Sequence, residues 1–284
     1  MRRSGFRFLL LSSFGFLVSL ASAQTPRVTF DSNETVFSAV AAINACGYDQ
    51  ELAVSDPLRQ KVRTQMIHAI QNSPDAQRDL KGMCGFYRDH RHAGNSAGLS
   101  QYVSLALQLG PPPRFELAVP EADLSPDASY VQGFVPLMER FYAAAGLHQI
   151  WISSKADYDA LIVQFHDSIA KVLLATDLYL KLPISTYNGR RFSVIMEPMV
   201  APSEVNARDY SAEYFVVLAP ERGRLRTDAI RHLYLHSILD PISGQHPSAM
   251  KRLEPLLDRV ATAPMDVSFK RDISRLVTES LIRA

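Results

Sequence analysis

The chain has 284 residues, enough for one large domain or two small ones with a substantial core. Hydrophobic residues make up 47% and charged residues 21%, which excludes a wholly disordered, collagen-like or coiled-coil chain. The net charge of +1 leaves no basic excess for a phosphate backbone, so no nucleic-acid partner is expected, and two cysteines are too few for a disulfide-rich scaffold or a Cys-based zinc finger.

Residues 1–23 read as a secretory signal: Arg2, Arg3 and Arg7 precede an apolar run that ends at Ala21-Ser22-Ala23, a small-x-small cleavage site. The run is about 14 residues where a spanning helix needs roughly 20, so cleavage is expected before Gln24, with no membrane span afterwards. Losing the three arginines turns the net charge from +1 to −2. The expected location is secreted or periplasmic, where Cys46 and Cys84 are candidates for a disulfide. Two separate buried thiols are the alternative.

Along the mature chain, helical periodicity marks residues 33–45, with Val36, Phe37, Val40, Ala41 and Ile43 as its apolar face. Further helices are expected at 57–71, 74–88 and 98–109, the last stopped by Gly110-Pro111-Pro112-Pro113. His90 and His92 sit with Asp89 in a polar loop whose solvated reading outweighs a small metal loop. Residues 24–113 thus form a helical region, and 114–284 a second region possessing the strands, the two together allowing one continuous domain.

In that second region, residues 114–119 alternate like a short strand, and 121–128 form a polar loop. Helices follow at 129–145 and 155–180, the second amphipathic. A turn at 187–190 leads to a strand at 191–197, a Pro-rich loop at 198–210 and the clearest strand of all, 213–219. A helix at 226–240 is expected to stop at Pro241, with two more near 248–262 and 268–283. Strand and helix do not alternate regularly, so the fold class expected is α+β, mostly helical, with a small mixed sheet preceding the helix at 226–240.

That helix carries the chemistry. His232 and His236 are four residues apart, so both imidazoles leave one helix face about one turn apart, as two nitrogens for one zinc would. A third ligand is offered by Glu279, on a later helix with the apolar stripe Ile273, Leu276, Val277 and Leu281. The alternative is a pair of ordinary histidines. No phosphate loop or Ser nucleophile elbow is present in the sequence.

Over roughly residues 190–284 the chain resembles the gluzincin branch of the zincin metallopeptidases, through the strand EYFVVLA, the helix RHLYLHSILDP and the distal VTESLIRA. The resemblance implies zinc as cofactor, His232, His236 and Glu279 as its ligands, and a mixed sheet whose edge strand lines a substrate cleft. The family's catalytic glutamate would follow the first histidine, and here that position is Leu233. Leucine cannot take a proton from a metal-bound water, and such acid–base help is typically worth about 10²–10⁴-fold. The expectation is therefore a secreted, catalytically impaired metallopeptidase homologue that still holds zinc and serves as a peptide- or protein-binding or structural module. Its partner is expected at the strand 213–219, through Tyr214, Val216 and Leu218, by β-strand addition if that strand lies at an edge. Two alternatives stand beside it: an active zinc peptidase with a non-standard general base, Tyr234 and His246 being near in sequence, and a metal-free helical extracytoplasmic interaction domain.

Overall fold

A computed structural model describes residues 28–91, 97–182, 190–210 and 212–284. The expected signal segment and its cleavage site, His92 and most of the expected turn at 187–190 lie outside the described residues.

The chain begins with a short strand, β1 (Val28–Asp31), and enters helix α1 (Glu34–Ala45), whose first turn is capped by Asn33 accepting from the Val36 amide at 2.9 Å. Helices α2 (Pro57–Gln71) and α3 (Pro74–Asp89) each start with proline in the first turn behind a capping Asp56 or Ser73. The sequence 33–45 suggests one buried face, yet every residue of α1 from Thr35 to Asn44 is buried. Its many alanines and single serine let neighbours approach on all sides, and α2, α3, α4 (Ala97–Ala106), α6 (Val135–Ala144) and α7 (Leu147–Tyr179) pack around it. A disulfide joins Cys46, at the end of α1, to Cys84 in α3, with Cα atoms 5.1 Å apart.

The strand expected at 114–119 is absent. One isolated bridge, Leu109 to Leu117, is all that forms, because three consecutive prolines withhold the amides a ladder requires. Phe115 instead turns inward at φ 46° and is buried. The loop expected at 121–128 holds a 3-10 turn (Glu121–Asp123) and the start of α5 (Pro126–Tyr130). Helix α7 is longer than the periodicity suggests, starting directly after the left-handed Gly146 (φ 61°). Its buried stripe, Ile150, Ser154, Tyr158, Leu161, Phe165, Ile169, Leu173, follows helical spacing along its length.

The sheet has four strands in the order β1-β2-β4-β3, with β2 (Arg191–Met196), β3 (Asn206–Tyr210) and β4 (Glu213–Leu218). β1 and β4 run parallel to β2, while β3 runs antiparallel to β4. The fold is α+β with a small mixed sheet. β4 therefore lies inside the sheet, so the edge role expected for Tyr214, Val216 and Leu218 is overturned. Their backbone pairs on both sides, and all three side chains are buried. Its Val216-Val217-Leu218 run is the apolar signature of an interior strand. The edges are β1 and β3, both missed in the sequence.

Helix α8 (Thr227–Gln245) follows β4, then α9 (Pro247–Leu253), α10 (Pro255–Val260), α11 (Val267–Arg271) and α12 (Ile273–Arg283). The expected stop at Pro241 does not occur, and α8 runs through it. Proline leaves the carbonyl four residues back without its donor, and that carbonyl, Ser237, receives the Arg190 guanidinium at 3.4 Å. One hydrophobic cluster runs from Val36 to Tyr234, so residues on both sides of position 113 enter a common core.

Candidate metal centre

Helix α8 is anchored by Ile230 and Tyr234, one turn apart and both buried. The Tyr234 ring meets Phe192 of β2 edge-on at 5.0 Å, and its hydroxyl donates to Asp177 of α7 at 2.7 Å. These contacts fix the rotation of the helix. His232 and His236 consequently leave on the adjoining face, toward α12. That helix starts at Asp272, whose carboxylate accepts from the Ser274 and Arg275 amides at 2.9 and 3.1 Å. Ile273, Leu276, Thr278 and Glu279 form its buried side, which carries Glu279 to the histidines.

The three side chains converge. His232 Nε2 and His236 Nε2 are 3.2 Å apart, and Glu279 Oε2 lies 3.3 Å from the first and 3.2 Å from the second. Ligands about 2.0–2.1 Å from a tetrahedral zinc stand roughly 3.3–3.4 Å from one another, so these atoms fit a small divalent ion without rearrangement. The group of two half-buried histidines and one buried glutamate can hold a metal ion.

Two further residues complete the surroundings, and both were missed in the sequence although each sits four residues along a helix from a ligand. Asp240 faces His236 Nδ1 with both carboxylate oxygens, each 3.2 Å away. It selects the tautomer that leaves Nε2 free, as outer carboxylates do for metal-bound histidines. Arg283 donates to Glu279 Oε1 and leaves Oε2 for the cluster.

The electrostatics follow from these contacts. The hydrogen bond to Asp240 holds the His236 imidazole above its ordinary range against the opposing effect of burial. Burial pushes His232 below that range, and nearby Glu279 offsets this only in part. Burial works against the charge on Glu279, yet the Arg283 hydrogen bond and nearby His232 keep its carboxyl below the usual range. The cluster thus combines a carboxylate favoured in its charged form, one imidazole disfavoured for protonation and one favoured for it.

Leu233 and His232 both line one cavity. Among the described residues, Glu279 and Asp240 are the only carboxylates within ion-pair distance of the two imidazoles, and Asp240 is behind His236. Tyr234 is buried and bonded to Asp177, and His246 is exposed at the start of α9 outside the three-residue group. His90 lies elsewhere, stacked on Phe86 at 3.7 Å, and exposed His166 contacts Asp167. Trp151 and Tyr102 are buried packing residues.

No family model, curated protein or solved structure matches the chain.

Proposed function

We propose that the chain is a secreted or periplasmic, gluzincin-like domain that binds zinc through His232, His236 and Glu279 and has lost peptide hydrolysis at Leu233. The observation that carries the reading is the mutual approach of the three ligand atoms at 3.2–3.3 Å. The Asp240 contact on the far nitrogen of His236 supports it independently. Export is supported by the sequence of residues 1–23 and by the Cys46–Cys84 bridge, which suits an oxidising compartment. No helix among the described residues is long and apolar enough to cross a membrane.

A zinc ion bound here would supply a Lewis acid able to acidify a water. The chain's own contribution is to orient two imidazoles and one carboxylate, and it carries leucine at position 233, where the resemblance would put the proton acceptor. The expected outcome is one zinc per chain by elemental analysis, with binding weakened by roughly a hundredfold or more in His232→Ala, His236→Ala or Glu279→Gln, beyond the ~10–100-fold typical of an outer partner. Peptide hydrolysis by the zinc-loaded protein should be negligible, and Leu233→Glu should raise it by up to about 10²–10⁴-fold. Absence of zinc uptake at neutral pH would sink the metal reading. Robust hydrolysis by the unmodified protein, lost in His232→Ala, would sink the inactive one.

A further inference from the structure

A cavity of about 1170 Å³ opens beside the cluster, between the end of α7, residues 203–205, residues 226–239 at the start and middle of α8, and the end of α12. His232 stands in its wall. Small-molecule sites run to about 300–1,000 Å³, so the space is ample for a ligand of that class. Its walls are largely aliphatic, with Val172, Ala175, Val205, Leu233 and Leu235 among them. At its rim Leu281 and Tyr179 are left 60% and 83% exposed, apolar surface that a bound chain would cover.

The charges around this space have one sign in excess. Arg226, Arg231 and Arg283 line it, and Asp228 is the only acidic side chain among the described lining residues. Arg283 is already engaged by Glu279, while among the described residues Arg226 reaches only the Ser203 carbonyl, at 3.4 Å. With Arg283 paired to Glu279, the remaining charged side chains among the described lining residues are Arg226 and Arg231 against Asp228, an excess of one positive charge before any metal is counted. Leu233 adds to this preference. A glutamate there would place a negative charge beside an incoming anion, whereas leucine leaves an apolar wall.

We infer that this cavity binds an aliphatic carboxylate, its chain along the leucine and valine walls and its head group at Arg226 and Arg231, which line the cavity together with His232. The inference rests on the proposed metal site only for the final contact of the head group, since the walls and arginines stand without it. An extended peptide fits less well. Strand addition requires an exposed strand, and the lining comes from three helices and a short segment before β3, with no residue of the interior strand β4.

The test is a calorimetric titration with dodecanoate below its micellar range, on the metal-free protein and on protein carrying one equivalent of zinc. One saturable site is expected in both, tighter by tenfold or more with zinc. Dodecanol should bind at least tenfold more weakly than dodecanoate. Arg226→Glu and Arg231→Glu, both on exposed residues, should each lose tenfold or more in affinity without a change in melting temperature. Absence of a saturable site in either form overturns the proposal, as does equal binding of dodecanol. Unchanged affinity in both arginine variants overturns it as well, and so does an extended peptide that displaces an apolar fluorescent probe where dodecanoate does not. Dodecanoate binding without zinc uptake removes the metal reading and leaves this one standing, while zinc uptake without dodecanoate binding does the reverse.

Discussion

Asp240 shows how one part-exposed carboxylate can govern a half-buried imidazole. Its bond to His236 Nδ1 both selects the tautomer and raises the basicity of the ring. Asp240→Asn should therefore weaken zinc by about 10–100-fold. The charge that raises the His236 pKa is lost in that variant, so the acid limb of zinc binding should shift to lower pH. A pH titration of zinc affinity on both proteins measures the two effects separately. Glu197 is the opposite case. It is fully buried at the end of β2, accepts from Tyr158 at 2.9 Å and from the Met199 amide at 3.0 Å, and leaves its other oxygen without a partner. Burial pushes its carboxyl up to about 7. The folded state thus holds this proton more tightly than the unfolded chain. Its contribution to stability is complete below the ordinary 4.5 and is lost as pH rises through about 7. Glu197→Gln should be nearly neutral at pH 4 and stabilising by of order 3 kcal/mol above pH 8, by analogy with the ~1.4 kcal/mol per pKa unit of linkage. Urea unfolding at the two pH values decides it.

At the scale of elements, the site depends on two helices held very differently. α8 is keyed to the core by Ile230 and Tyr234 and continues through Pro241, with Arg190 supplying the donor that proline lacks. α12 is an eleven-residue helix at the end of the described chain, and its start depends on Asp272. Isolated helices of that length are marginal in water, so its cap and its four buried residues together position Glu279. Asp272→Ala should lower stability by about 0.5–2 kcal/mol and also weaken zinc, because the ligand would ride on a frayed turn. Equal zinc affinity in that variant, measured alongside its melting temperature, would show that contacts further along α12 suffice. Much at this scale was readable in the sequence: the starts at Pro57 and Pro74, the strand from Arg191 and the strand from Glu213 all carry local signals. β3 carried none, since Asn-Ala-Arg-Asp-Tyr has no apolar alternation. Its place is set by Arg208, which reaches the Ser100 carbonyl at 2.8 Å, and by the Tyr210 hydroxyl, 2.6 Å from Ser104 Oγ.

Across the whole molecule, the first described strand is paired with one far along the chain, Val28 opposite Phe192, with helices α1–α7 between them. That parallel pairing and the common core bind the helical region to the sheet that supports α8. The Cys46–Cys84 bridge closes a loop within the helical region, 38 residues apart in sequence. Loop-closure entropy assigns such a link about 4 kcal/mol. Replacing both cysteines by alanine should lower stability by up to that amount while leaving zinc stoichiometry unchanged, because neither cysteine touches the cluster. Denaturant unfolding and elemental analysis of the variant test both halves of the prediction.

The sequence by itself determined the features written within a helical turn or a short run. These are the proline starts, the amphipathic run at 155–180, and the His232–His236 spacing that sets two imidazoles on one face. It also offered Glu279 as the third candidate ligand. Tertiary structure alone decided that β4 is interior, that β1 and β3 are the edges, and that α1 is enclosed on every side. It alone set Oε2 of Glu279 within 3.3 Å of both histidines and opened the cavity beside Leu233. The physical reason is range. Capping and periodicity act between residues a few positions apart, whereas strand order, all-round burial and a three-ligand cluster require groups that only the packed chain brings together.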